Sequence, residues 1–373
     1  MLLWQYKQPV EILFHTGFAE SLAGFLAERG FRKGLLVCDG FFRQNGLAEQ
    51  YLAASDGRLV AAFSEIQPNP TLENADKCME AMAEAGADFA LALGGGSAID
   101  CAKLACALSG SGVTTYEAHR NAKPLPARGL PLVAMPTTAG TGSEVTNVSV
   151  MTDEQRGIKW SLMGDALYPR VAVIDPSLTL SLPPSVTAST GFDVIAHALE
   201  GFWSKNHQPV CDAMALEAAR LALLSLPEAY RDGGSLPARS RMCEASVLAG
   251  LAFLLPRTAG AHACSYPLTN IYKMPHGEAC AFTLAAFARI NATAEGGRLN
   301  GFAQKLGFPD AIGMADHLDE MKKTLGLKRT LADAGIDKAD LPELSRLSRH
   351  PLLDNNPVPM NDDDMLAMYQ SLA

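Results

Sequence analysis

The feature that most constrains this chain is a change of texture at Leu182-Pro183-Pro184. Before it, short apolar runs alternate with segments of helical spacing. Val10–Phe14, Gly34–Gly40, Leu59–Phe63, Phe89–Leu93 and Leu132–Met135 read as strands. The first dozen residues as a whole suggest a strand pair. Ala19–Arg29, Leu72–Ala85 and Ala98–Leu108 read as helices between them. Strand, helix, strand in this order implies a parallel, doubly wound α/β sheet with helices on both faces. After the prolines, Ala- and Leu-rich helical patterns take over: Phe192–Trp203, Pro209–Leu224, Arg239–Leu255 and Ala279–Asn291, with two or three surface helices from His317 to Ala373. The expectation is an α/β domain over 1–184 and an all-α domain over 185–373. A chain of 373 residues is long enough for two cores.

The formal net charge of −9 argues against nucleic acid and anionic membrane as partners. No uncharged apolar run reaches about 18 residues, and Met1–Lys7 lacks the pattern of a signal peptide. The eight cysteines form no C-x-x-C pair and mostly sit among Ala, Leu and Val, the setting of reduced buried thiols in a cytoplasm. Cys264, two residues from His262, reads as pocket lining.

Two elements in the first half have the chemistry of a phosphate cradle. Ala90-Leu91-Ala92-Leu93-Gly94-Gly95-Gly96-Ser97 runs from a strand through three glycines into a helix. Glycines let a phosphate approach the backbone, and a helix N-terminus offers unpaired N–H groups. Three glycines are equally compatible with a ligand-free turn. Met135-Pro136-Thr137-Thr138-Ala139-Gly140-Thr141-Gly142-Ser143-Glu144 follows a strand and is dense in hydroxyls. Asp39 ends an early strand, where a carboxylate can accept a ribose hydroxyl or simply close a turn.

The second half carries a different chemistry. Thr190 is placed to cap a helix on which Asp193 and His197, four apart, share a face. His262 and His276 follow, each near an expected helix end. One carboxylate and three imidazoles suit a divalent transition metal such as Fe²⁺ or Zn²⁺.

Over nearly its whole length the chain resembles the iron-containing (group III) alcohol dehydrogenases. That family holds its metal with an Asp, a His four later, and two further His fourteen apart; here 197 − 193 = 4 and 276 − 262 = 14. The resemblance implies Asp193, His197, His262 and His276 as ligands, and a dehydroquinate synthase-like architecture. It implies cofactor contacts from Gly95, Gly96 and Ser97 in a GGGS-x-x-D-x-AK element, from Thr137, Thr138 and Thr141 in a PTTAGTGSE loop, and from Lys159 near the nicotinamide ribose. Asp39 would favour NAD over NADP. The implied reaction is NAD-linked interconversion of a small aldehyde and its alcohol at a cleft between the domains, in a homodimer. Where many members have His four after the third ligand, this chain has Tyr266, a proton donor or a pocket wall. The stretch from Pro256 to Leu268, with Arg257 five before His262, is similar to a subgroup that reduces phosphonoacetaldehyde to 2-hydroxyethylphosphonate. Arg257 would grip the anion, or else pair with a surface acid. A generic short-chain alcohol or diol dehydrogenase, and a dehydroquinate-synthase-like cyclase or lyase, stay as alternatives.

Overall fold

The structure, a computed structural model, describes residues 4–372. It contains two compact units. One comprises Lys7–Thr138 and Ser143–Thr179; the other comprises Ala139–Gly142, the chain from Leu180 onward and the short stretch ending at Tyr6.

The first unit is built on β1 (Glu11–Phe14), β2 (Gly34–Asp39), β3 (Leu59–Ile66), β4 (Phe89–Gly94), β5 (Leu132–Pro136) and β8 (Val171–Ile174), in the order β1-β8-β5-β4-β2-β3. All pairs are parallel. Helices α1 (Leu22–Glu28), α2 (Gly40–Gln44), α3 (Leu47–Ala54), α4 (Leu72–Glu84), α5 (Gly96–Leu108) and α6 (Thr115–His119) complete it. The period of two along the strands sends Leu35, Val37, Ala90 and Ala92 into a core with α4 and α5, and Leu36, Cys38, Leu91 and Leu93 into a core with α1 and α3. The sheet is therefore doubly wound. The alanines on the α5 side let that helix approach closely, and Ala98–Leu108 is buried throughout. Strand order reverses between β2 and β4, so their carboxyl ends, Asp39 and Gly94, open the crevice where such sheets take ligands.

The polar residues of α5 are used internally. Asp100 accepts bonds from Ser143 Oγ and the Val150 N–H, and Lys103 Nζ donates to Thr146 Oγ1 and the Val148 carbonyl. Burial pushes Lys103 down to about 8 and Glu144 up to about 7, each opposed by the other's charge. This network ties the 143–150 segment to α5.

Some local expectations need correction. The first dozen residues do not form a strand pair among the described residues; β1 pairs with the distant β8. The antiparallel hairpin β6 (Val148–Asp153) and β7 (Ile158–Met163), and β8 itself, were not anticipated. β8 has only four residues and pairs with the distant β1 and β5, while β6 and β7 are largely part-exposed and meet through a charged turn at 154–157.

The second unit is helical: α7 (Pro184–Trp203), α8 (Pro209–Arg231), α9 (Leu236–Phe253), α10 (Gly260–Asn270), α11 (His276–Ile290), α12 (Arg298–Lys305), α13 (Ala311–Thr324), α14 (Leu331–Ala334), α15 (Leu341–Leu347) and α16 (Asp362–Gln370). Thr190 does not cap α7. It lies inside that helix with its hydroxyl on the Val186 carbonyl, because Pro184 at the first turn starts the helix earlier. α7 is apolar around most of its circumference and packs against α8, α9 and α11, the environment of a central helix. The last region is less superficial than its charge suggests: Tyr369 of α16 is fully buried. Among the described residues no helix is long and apolar enough to cross a membrane.

Candidate metal and nucleotide sites

α7 supplies Asp193 and His197, and one further turn supplies Glu200, all buried. α10 supplies His262 near its start and α11 supplies His276 as its first residue. Glycines make this convergence possible. A Cβ at Gly260 would meet the Phe287 ring at 2.1 Å, and one at Gly277 would meet the Ser189 carbonyl oxygen at 2.0 Å. Only bare backbone lets α10 and α11 seat so closely.

The four expected ligands come together. Asp193 Oδ1 lies 3.6 Å from His262 Nε2, 3.9 Å from His276 Nε2 and 3.9 Å from His197 Nδ1. His197 Nε2 and His262 Nε2 face each other at 3.1 Å. Metal–nitrogen and metal–oxygen bonds near 2.1 Å put tetrahedral neighbours about 3.4 Å apart, close to the Asp193–His262 and His197–His262 distances; the 3.9 Å approach of His197 to Asp193 is made by Nδ1, the nitrogen on the far side of the ring from its donor atom. Asp193 Oδ1 is buried with no hydrogen-bond donor among the described residues, an orphan acceptor that a cation satisfies. The residues therefore fit a divalent metal.

The imidazoles are oriented from behind. Gly140 O accepts from His197 Nδ1 at 3.3 Å, which points Nε2 at His262. Glu200 Oε2 bonds His262 Nδ1, while Glu200 Oε1 accepts the N–H groups of Ala261 and His262. One carboxylate thus caps α10 and aims its histidine. Ser265 Oγ stands 3.5 Å from His276 Nδ1. Phe253 stacks on His197 with ring centroids 4.1 Å apart. His276, 36% exposed, is the open rim of the cluster.

The charges agree with this. Burial alone would raise Asp193, but His197, His276 and His262 together hold it far below the usual carboxylate range. Burial pushes His197 down to about 4, so it presents a lone pair at neutral pH. Burial also disfavours charge on His262, and the surrounding Cys280, Glu200 and Asp193 outweigh it. The cluster attracts positive charge.

Sequence reasoning did not find Glu200, Gly140, Gly277 or Cys280. Glu200 was legible in principle, seven residues after Asp193 and so on the same face of α7. Cys280, four after His276, offers its sulfur within 4.8 Å of the donor atoms of Asp193, His262 and His276. Cys264, also buried, is not among these donors within the described residues.

In the α/β unit, Gly95, Gly96 and Ser97 are half-exposed between a buried strand and a buried helix. Gly94 is glycine for crowding: a Cβ there would meet Ala98 Cβ at 2.6 Å and Asp39 Oδ2 at 2.7 Å. Gly95 is not. Its φ of −74° suits any residue, and a Cβ would only touch Thr138 at 3.6 Å. The Asp39 carboxylate accepts the Gly95 N–H, and burial raises it. The N–H groups of Gly96 and Ser97, in the first turn of α5, have no place in its internal ladder. Thr137 is buried at the end of β5 with its N–H on the Gly94 carbonyl. Lys159, on β7, donates to Asn69 Oδ1 at 2.7 Å. Thr141 belongs instead to the segment that packs with the helical unit. There a Cβ on Gly140 would meet Thr190 at 2.8 Å.

Tyr266 stacks on His350 with ring centroids 4.4 Å apart, one turn beyond His262 on α10. Arg257 sits in the α9–α10 loop with φ +70°. Asn355 Nδ2 clamps this loop by donating to the carbonyls of Pro256 at 2.8 Å and Thr258 at 3.0 Å.

Comparison with known proteins agrees with both halves. Residues 9–176 match the family described as "Iron-containing alcohol dehydrogenase", and residues 187–373 match "Fe-containing alcohol dehydrogenase family, C-terminal". The chain is 33% identical to long-chain-alcohol dehydrogenase 1 of Geobacillus thermodenitrificans, covering 96% of this chain and 94% of that one. It is 32% identical to alcohol dehydrogenase 4 of Saccharomyces cerevisiae, covering 98% and 97%. Among solved structures, sulfoacetaldehyde reductase from Bifidobacterium kashiwanohense, in complex with NAD+, superposes with a TM-score of 0.97 at 45% identity, covering 100% of this chain and 99% of that one. These matches decide against the cyclase alternative. The chain belongs to the iron-containing alcohol dehydrogenase family.

Proposed function

We propose that this enzyme reduces a two-carbon aldehyde bearing a sulfonate or phosphonate, using NADH. The observation that carries the redox reading is the buried, unsatisfied Asp193 oxygen among three imidazoles. Asp193, His197, His262 and His276 would hold Fe²⁺ or Zn²⁺, whose charge polarises a carbonyl oxygen. A nicotinamide supplies the hydride in chemistry of this class.

The chain's own residues do the rest. The N–H groups of Gly96 and Ser97 bind the pyrophosphate at the positive end of α5. Thr137 and Thr138 flank that turn, and Thr141 and Lys159 act farther along the nucleotide. The Asp39 carboxylate disfavours a 2′-phosphate and so selects NAD over NADP. Glu200 and Gly140 orient imidazoles, and Phe253 keeps water from His197. Tyr266, fixed by His350, is a rigid wall one turn from His262.

The anion preference rests on Arg257 and on the likeness to a sulfoacetaldehyde reductase. A bulky residue at positive φ costs about 1 kcal/mol or more and persists where surroundings over-determine it, as at ligand clamps. The Asn355 clamp does that here, and a guanidinium grips sulfonate or phosphonate oxygens through paired bonds. The free buried thiols support a reducing cytoplasm, and the outer edge of β1, unpaired among the described residues, supports a homodimer.

The test is NADH oxidation, with Fe²⁺ or Zn²⁺ restored, against sulfoacetaldehyde, phosphonoacetaldehyde and propanal. The anionic aldehydes should be preferred. Arg257→Ala should raise their KM roughly tenfold or more while sparing propanal. A wild type that favours propanal, or equal losses on all three, sinks the reading.

A further inference from the structure

The donor cluster holds an atom that the carboxylate–imidazole set does not use. Cys280 lies one turn after His276 on α11, so the two side chains share a face. Its sulfur is buried, 3.9 Å from His276 Nε2. The donor atoms of Asp193, His262, His276 and Cys280 all lie within 4.8 Å of one another, whereas His197 joins through its contact with His262.

Packing enforces this placement. Gly277 presses α11 against α7 level with Asp193: a Cβ there would come within 3.0 Å of Asp193 Cβ. Ser189 Oγ accepts the Glu278 N–H at 3.1 Å, and Glu278 Oε1 accepts the Lys328 N–H at 2.8 Å. The first turn of α11 is therefore fixed on both sides, and Cys280 with it. Zinc–sulfur bonds near 2.3 Å and zinc–nitrogen bonds near 2.1 Å put such neighbours about 3.6 Å apart, close to the sulfur–nitrogen distance here.

We propose that Cys280 is a further ligand, a thiolate donor to the cation that Asp193, His197, His262 and His276 would hold. The thiol proton leaves to solvent as the metal–sulfur bond forms. A soft donor added to an oxygen–nitrogen set biases the site toward Zn²⁺ over harder cations. The inference deepens the metal-site reading and rests on it.

Cobalt separates the two. The metal-free full-length protein is reconstituted with Co²⁺, and its spectrum is read for visible ligand-field bands and for near-ultraviolet thiolate-to-cobalt charge transfer. Wild type should show both. Cys280→Ser should keep the visible bands, lose the charge transfer, and bind Zn²⁺ roughly ten- to a hundredfold more weakly in competition with a chromophoric chelator. Visible bands without charge transfer in wild type overturn the Cys280 ligand and leave the rest of the cluster standing. Charge transfer that survives in Cys280→Ser overturns it too. Failure of wild type to take up cobalt overturns the metal-site reading and this inference together. Should the serine variant not fold, Cys280→Ala is read the same way, and the wild-type spectrum decides alone.

Discussion

The turn at Gly94–Ser97 and the cluster around Asp193 are built on opposite principles. The turn is backbone: its donors are N–H groups, its openness comes from missing side chains, and its residues are contiguous. The cluster is side chain: its donors come from α7, α10 and α11, and each imidazole depends on a group elsewhere for its orientation. A site of the first kind tolerates change wherever a side chain has room, as at Gly95 though not at Gly94, since neighbouring N–H groups remain. A site of the second kind does not, because removing one partner leaves buried polar atoms unsatisfied.

That contrast can be broken by experiment. The largest effect is expected at the cluster itself. Asp193→Asn should empty the protein of metal, measured by elemental analysis, and lower activity roughly a thousandfold, the several kcal/mol that metal-borne charge stabilisation supplies. NADH affinity should stay within a few-fold, since the two sites share no residue. Parallel loss of NADH binding would show that they are not separable. Glu200→Gln is next. It retains the shape but weakens the hold on His262 and the α10 N-terminus, so metal affinity should fall roughly ten- to a hundredfold in chelator competition. An unchanged affinity would mean that packing alone positions His262. The smallest effect is expected at the turn. Gly95→Ala meets only ordinary contacts, so thermal stability should hold while KM for NADH rises by roughly tenfold at most. A change in stability with no change in KM would make Gly95 a structural residue and remove the cradle reading.

Legibility followed the same division. Five of the six strands of the parallel sheet could be read because each is a contiguous apolar run, and the intervening helices carry their own period. The hairpin β6–β7 and strand β8 could not: β6 and β7 are largely part-exposed strands without a contiguous apolar run, and β8 is four residues long with partners, β1 and β5, far along the chain. Asp193 and His197 could be paired by helix periodicity. Their meeting with His262 and His276 was an expectation from resemblance, and only the seating of α10 and α11 on α7, through Gly260 and Gly277, brings those atoms within 4 Å. Thr141 was grouped with its sequence neighbours Thr137 and Thr138, yet packs with the helical unit because Gly140 and Gly142 leave room for Thr190 and Gly250.

By itself, then, the amino-acid order determined where the strands and helices with a strong local pattern form, which turn exposes its N–H groups, and which residue types are available for metal and nucleotide. Those properties are local: they depend on period, glycine content and side-chain chemistry. Tertiary structure alone decided that Glu200 aims His262, that Gly140 aims His197, and that Cys280 rather than Cys264 lies among the donors. Such assignments depend on which faces of separate helices meet, and contact across a packed core is set by the volume and shape of every neighbour at once.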